Sequence, residues 1–508
     1  MSLYVANSIL MNKFMIAEKR FNSLFSFNVH NSMYIYIAAL ILLSMSAGVD
    51  VVYSKGVLSI GLMGLAICVL LIRRFPELPF MLLAVGMSFW DLLGRVVPLA
   101  GLALLLTLGL IAVVVAITAF SDKATAYRFK FNSVDVYLVL FTLWAWLSLF
   151  WSPNIAYGSF KLQGFTAYSV ISYFFVRIYF SSLAFSFTRV AAFMVAAGFG
   201  HALLALYAAF ITGLYNPNVL GMRYYLIRQV WNRGSIGEAE ALALGLIGTT
   251  ILFGIHRQRY RYVLGALFAF QLWAFMGYQQ RSATISLVIG LFAYFILSSS
   301  SQDRPNRNKL LRGFIGFVSL VGLAVLFLQY NPQLALTYLV QDNNVLDRLS
   351  YFALGWQTFV ENPLFGIGAG GMGSLLGDII DDFYVHNRIL EIGAELGTVG
   401  LVLATLLTIS LAKYVKFIYS AENLHHTVRH LGALASACLI IRYVVGMSSG
   451  DLVAWKLGIW AGILVASVEL AQRSWMQEID LKQTILIQKG RMQETDLQQQ
   501  TDNSPASF

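Results

Sequence analysis

The chain carries a histidine and a set of arginines whose types suit acid–base chemistry beside an anionic group. Near residue 386 it reads FYVHNRILEIGAELG, so His386 and Asn387 stand at the lip of an apolar stretch, followed by Arg388, Glu391 and Glu395. An imidazole titrates near neutral pH, which suits a general base or a proton relay. Arg281 follows Gln279 and Gln280 at the start of another apolar stretch, and Arg223, Arg228, Arg233 and Arg348 fall in two longer segments between such stretches. A guanidinium meets the oxygens of an anion such as phosphate through two parallel bonds. Ionisable groups are costly in hydrocarbon, so charges at the head of a membrane-length helix mark a candidate site.

Each residue also has a plainer reading. His386 fits a solvated histidine at a helix end. Asn387 is a good N-cap for the helix that follows, and that structural role is the preferred one. Arg388, Glu391 and Glu395, spaced i, i+3 and i+7, share one helical face, where an internal ion pair makes the helix end tolerable in lipid. Glu391 can instead orient groups near the site. Arg281 fits a snorkelling anchor at a membrane interface.

What must position these residues is a membrane. The chain has 508 residues, 58% of them hydrophobic and 12% charged, against about 25% charged in a soluble domain. Apolar runs of roughly 15 to 25 residues fill most of its length, which predicts an all-α, polytopic transmembrane helix bundle. The runs are continuous rather than alternating, which excludes an outer-membrane barrel. The formal charge of +10 lies largely in short loops between the runs, so it reads as topology and not as a nucleic-acid surface. Cys68 and Cys438 both sit inside apolar runs and read as small buried hydrophobes, with no disulfide framework.

Spans fall at about 33–47, 57–72, 79–93, 96–119, 134–151, 165–182, 189–212, 238–254, 262–278, 284–299, 313–329, 389–412, 430–447 and 452–470, roughly 12 to 14 in all. Lys13, Lys19 and Arg20 precede the first run, which reads as an uncleaved first span because so many follow. The loops bearing Arg73 and Arg74; Lys123, Arg128 and Lys130; Arg257, Arg259 and Arg261; Arg304, Arg307, Lys309 and Arg312; and Lys413 and Lys416 fall on one side. The positive-inside rule makes that side cytoplasmic, with both termini. The opposite face receives WSPNIAYGSFKLQG (151–164), the 213–237 loop, the turn carrying Arg281 and the long segment 330–388 ending beside His386. Residues 1–32 form a cytoplasmic lead, 33–470 the membrane domain with 330–388 as an extracytoplasmic lid, and 471–508 a polar cytoplasmic tail in which MQEIDLKQ recurs as MQETDLQQ sixteen residues later.

Inside the lid, Leu349, Phe352, Trp356 and Phe359 are spaced for an amphipathic helix at the membrane surface, stopped by Asn362-Pro363. The following GIGAGGMG holds Gly366, Gly368 and Gly371 in a G-x-G-x-x-G pattern. No βαβ unit surrounds it, so it reads as a flexible turn and not a nucleotide fingerprint. Asp378, Asp381 and Asp382 have the spacing to bind a divalent ion with His386, but no Cys/His zinc spacing occurs. No metal and no cofactor is expected.

In combination, Arg348, Asn362-Pro363, the glycine loop and the HN-x-x-L-E-x-x-x-E-x-G-x-x-G string from His386 to Gly400 resemble the O-antigen ligase and Wzy-type polymerase superfamily, over roughly residues 130–415. RSATISL at Arg281 is similar to the family's arginine at the start of a span. GSIGEAEALALGL (234–246) stands where members often carry Gly-x-x-Gly-x-Pro-Asn-x-x-Ala, with Glu238-Ala239-Glu240 in place of the usual residues. The resemblance implies a bacterial inner-membrane glycosyltransferase that moves a glycan from polyprenyl diphosphate to an acceptor hydroxyl, inverting and metal-independent, at the extracytoplasmic face. His386 and Arg281 are then catalytic, Arg223, Arg228, Arg233 and Arg348 hold the diphosphate, and Asn387 and Glu391 support the site. It further implies a lipid-linked glycan and a glycan or lipid-linked acceptor as substrates, membrane lipid around them, and a chain-length regulator or flippase as partner. Exopolysaccharide or lipopolysaccharide biosynthesis is the setting. A polymerase is slightly favoured over a ligase because the outer-face cations suffice for two lipid diphosphates. A carrier of a small anion such as bicarbonate stays open as the alternative, although no inverted repeat is visible and the charges gather at one face rather than the midplane.

Overall fold

The computed structural model describes residues 131–182, 187–211, 236–255, 258–277, 281–299, 343–375, 385–421, 424–449, 457–473 and 475. Among these the regular elements are helical and no strand occurs, as the unbroken apolar runs require. Three helical stretches, Ser133–Trp151, Arg388–Ser420 and His426–Met447, are long and apolar enough to cross a membrane, and Phe187–Leu203, Ala239–Ile255 and Ala283–Ser298 are shorter apolar helices. The expected spans before residue 131 and at 313–329, the Arg223–Arg233 loop, the aspartate cluster, Cys68 and the tail beyond residue 475 lie outside the described residues.

Helix α1 (Ser133–Leu147) begins at a reciprocal cap: Asp135 N donates to the Asn132 side chain at 3.1 Å and Asn132 N donates to the Asp135 carboxylate at 2.7 Å. A 3-10 turn, Ser148–Trp151, ends it. Helix α2 (Ile155–Phe165), a π-helical stretch (Thr166–Ile171) and α3 (Ser172–Ser182) then run on without a break. The segment 151–164, expected as a connector, is thus helical from Ile155. Its cap is Asn154, whose side chain accepts from Tyr157 N at 3.1 Å, and a polar WSPN string hides such a start as readily as it marks a loop.

Helices α4 (Phe187–Ile211), α5 (Ile236–Ile255), α6 (Gln258–Gly277) and α7 (Arg281–Ser298) follow the apolar runs within a few residues. The amphipathic helix is α8 (Asn343–Glu361), followed by α9 (Arg388–Ser420), α10 (His426–Ser449) and α11 (458–473). α9 lies along α1, α10 along α7, and α5 along α4. Small residues permit the close approaches: the Cα of Gly245 on α5 lies 2.7 Å from where a Cβ on Gly198 of α4 would sit.

Cross-contacts sort the helix ends. Trp144, late in α1, donates from its indole to Leu396 O, early in α9, at 3.0 Å. Arg442, late in α10, pairs with Glu240, early in α5. At the other end Arg177 of α3 pairs with Asp135 of α1 and Glu469 of α11, and the Tyr294 hydroxyl of α7 meets His430 of α10 at 2.8 Å. With α2 to α3 counted as one continuous run and α8 set apart, successive helices therefore alternate in direction. The end that carries Trp144 also receives the start of α5, α7 and α9 and the end of α10. Arg281 opens α7, which passes Ile441 of α10 at Gly290, so its backbone lies at this same end.

Candidate functional site

The site is organised by a break in α9. Gly397 has φ 66° and ψ −165°, a backbone outside the helical region, and cuts the 33-residue helix into a stub from Arg388 to Leu396 and a long shaft beyond it. A break leaves helix carbonyls without their usual donors. Here the glycine loop and α1 supply them: Ile367 N donates to Ala394 O at 2.9 Å, Gly368 N to Glu395 O at 2.8 Å, and the Trp144 indole to Leu396 O at 3.0 Å. On the other side Thr398 donates to Pro363 O from both its backbone N, at 2.8 Å, and its hydroxyl, at 2.7 Å.

The glycine loop is thus not a flexible turn, as the sequence suggested, but a buried wedge. Gly366, Gly368 and Gly370 have φ of 68°, 90° and 78°, the left-handed region that glycine adopts without cost. The loop seats on the α1–α2 corner, where the Ser152 hydroxyl donates to Ala369 O at 2.8 Å and Ala369 N donates to the Ser148 hydroxyl at 3.0 Å. Backbone pressed this closely against backbone is the physical reason for so many glycines.

The stub opens at Asn387, whose side chain accepts from Ile389 N at 3.0 Å and Leu390 N at 3.2 Å. That is the expected N-cap. Its amide also donates to Met447 O of α10 at 3.1 Å. His386, half-buried just before the cap, has φ 58°. A left-handed non-glycine residue costs about 1–3 kcal/mol and is kept where the surroundings enforce it. The Tyr351 ring of α8 stacks on the imidazole, centroids 5.7 Å apart and planes inclined by 20°. α8 runs beside the stub, with Gly355 against Val385 and Phe359 against Gly393. Along α8, Trp356 is exposed while Thr358 is buried. Arg348 lies three residues, about one turn, before Tyr351, so its backbone is carried to the His386 end.

Behind His386 lies a buried charge cluster. Glu391 and Glu395 both bond the ammonium of Lys161 on α2, Glu395 through both oxygens at 3.1 Å, and all three side chains are 1% exposed. The two carboxylates are therefore held by a cation from another helix, not only by charges of their own helix. Arg388 is buried against α10, its Nη1 donating to Arg442 O at 3.4 Å, over Gly446, where a side chain would overlap the guanidinium. Arg442 pairs in turn with Glu240, which gives Glu240 of the divergent GSIGEAEALALGL string a structural partner. A buried pair broken by removal of one partner costs about 3–5 kcal/mol, so this cluster ties α2, α5, α9 and α10 together under the site.

Of the residues expected to act, His386, Asn387 and Glu391 come together at the head of α9. Arg281 and Arg348 are carried to the same end by their helices. Arg223, Arg228 and Arg233 lie outside the described residues. Lys161, Glu240 and Arg442 were missed, although a lone lysine ahead of an apolar run and an arginine inside one are signals a membrane chain rarely shows without reason. Among the described residues no group of three metal-binding side chains occurs.

The fold is that of an all-α membrane protein, with a buried charge cluster beside His386 at one end of its bundle. Residues 264–405 match the protein-family model described as "O-Antigen ligase". A Rickettsia conorii protein named "Putative polysaccharide ligase" is 30% identical over 155 residues, 27% of this chain and 35% of the relative. The chain therefore spans about a third of the length of the curated relative it matches. No solved structure matches. The resemblance seen in the sequence is borne out over the matched segment, which is narrower than the 130–415 expected. It runs from α6 to the shaft of α9 and contains Arg281, Arg348, His386, Asn387 and Glu391, while Lys161, Glu240 and Arg442 lie outside it.

Proposed function

We propose that the protein transfers a glycan from polyprenyl diphosphate to an acceptor hydroxyl at the extracytoplasmic face of a bacterial inner membrane, in surface or exopolysaccharide biosynthesis. The observation that carries this reading is the strained His386 at the head of the broken α9, within the segment that matches the O-antigen ligase family.

In this reading the lipid-linked glycan reaches the site from the bilayer beside α8, and Arg281 and Arg348, with Arg223, Arg228 and Arg233, hold its diphosphate. The acceptor oxygen attacks the anomeric carbon from the face opposite the diphosphate. The new C–O bond forms as the bond to the diphosphate oxygen breaks, and polyprenyl diphosphate leaves with that electron pair. His386 takes the acceptor proton, and the anomeric configuration inverts. The guanidiniums neutralise the leaving group, so no divalent ion is required.

Of the two acceptor classes, a second lipid-linked glycan is the one the arginine set favours, because two diphosphates must then be held. The names of the matched family and relative point to the other, the ligase reaction. The test is purified protein in nanodiscs, supplied with a labelled lipid-linked glycan and either unlabelled lipid-linked glycan or a lipid A–core acceptor. Extended lipid-linked product supports the polymerase, labelled core supports the ligase, and release of neither overturns the transferase reading. Uptake of a small anion into proteoliposomes by the same preparation would support the carrier instead.

A further inference from the structure

The stub that bears His386 runs only from Arg388 to Leu396. A helix of that length does not hold itself in place. The bonds to the glycine loop and to Trp144 fix its far end, at Ala394, Glu395 and Leu396. Nearer His386, the stub meets α10 through the amide of Asn387 and the 3.4 Å bond from Arg388. Its face toward α2 carries Glu391, one turn after the cap, and Glu395, one turn further on, and Lys161 reaches both.

An ammonium offers three N–H donors on a compact point charge, and Lys161 directs them at Glu391 Oε1 and at both oxygens of Glu395. These bonds fix the rotation of the stub about its axis, because two carboxylates one turn apart must both face α2. Rotation of the stub is what would swing His386 and its cap. The cluster is also sealed from solvent, so water cannot replace the ammonium cheaply.

We infer that Lys161 is a positioning residue for glycan transfer: shared between Glu391 and Glu395, it sets the rotation of the stub that presents His386 to the acceptor. This rests on the transferase reading above. A misplacement of about 1 Å in a reacting group is enough to cost on the order of 100-fold in rate, so the effect belongs in kcat, while the affinity for the lipid-linked glycan, held by the arginines, stays.

The experiment compares wild type, Lys161→Met and Lys161→Arg, all full-length in nanodiscs, by hydrogen exchange of the 386–396 amides and by transfer kinetics per folded molecule. Lys161→Met should exchange at least about tenfold faster in 386–396, with 400–418 unchanged, and lose about 100-fold in kcat with KM within about threefold. Lys161→Arg, which keeps the charge but not the three-pronged geometry, should fall between the two in both measures. Where Lys161→Met does not fold, Lys161→Arg carries the test alone. Wild-type exchange in 386–396, or wild-type kcat in a folded variant, overturns the inference. If wild type itself transfers no glycan while the exchange pattern appears as stated, the transferase reading fails and the anchoring of the stub by Lys161 stands.

Discussion

Replacing Gly397 by alanine should collapse the break on which the site is built. At φ 66° and ψ −165° the backbone occupies a region essentially reserved for glycine, costing any other residue about 1–3 kcal/mol. A Cβ there would meet Leu364 O at 2.3 Å, Leu364 C at 2.5 Å and Gly366 N at 2.6 Å. All three are backbone atoms that no rotamer change can move, and overpacking of this kind costs about 1–3 kcal/mol more. The total is on the order of 4 kcal/mol, which at about 2 °C per kcal/mol for a large domain lowers Tm by roughly 8 °C. Gly265→Ala on α6 is the internal control, since no atom stands within 4 Å of its added Cβ and alanine favours a helix over glycine by about 1 kcal/mol. The assay is thermal unfolding of both variants in the same detergent, followed by glycan transfer from the folded fraction. Turnover of Gly397→Ala should fall as the stub and His386 shift. If the two variants unfold within about 1 °C of each other, the break in α9 is not built as described.

Two further outcomes bear on the chemistry. Arg281→Lys should lose about 10²–10³ in turnover, because a point charge cannot reproduce the two-pronged contact with phosphate; near-normal turnover with purified lipid-linked substrate makes Arg281 an interfacial anchor instead. Transfer should survive excess EDTA, and a collapse restored by magnesium or manganese, and reproduced by Asp381→Asn with Asp382→Asn, would replace the arginine clamp with a metal-assisted reaction.

The helices were legible because membrane spans announce themselves through sustained apolar runs, and the head of α9 because Asn387 is a strong cap ahead of such a run. What stayed hidden was the part that depends on contacts distant in sequence. Gly397 sits in ELGTVG, and glycine is common inside membrane helices, so nothing local distinguishes a break from ordinary helix. The glycine loop looked flexible because its purpose, to pass between the α1–α2 corner and the carbonyls of α9, needs both partners in view. Lys161 was read as part of a connector, yet Glu391 and Glu395 at i and i+4 on one face already called for a cation from elsewhere. Arg442 and Glu240 lie 202 positions apart, and each made sense only beside the other. Local periodicity thus reveals the elements, while the charges that join them are decided by packing.

The sharpest measurement is the turnover of His386→Ala, purified to the same folded state as wild type and assayed with lipid-linked glycan and acceptor in nanodiscs. Removing the base should lower turnover by about 10²–10⁴, while binding of the lipid-linked glycan and membrane insertion stay as in wild type. Transfer at the wild-type rate by a well-folded His386→Ala protein would remove the histidine from the chemistry and contradict the assignment of the α9 head as the active site.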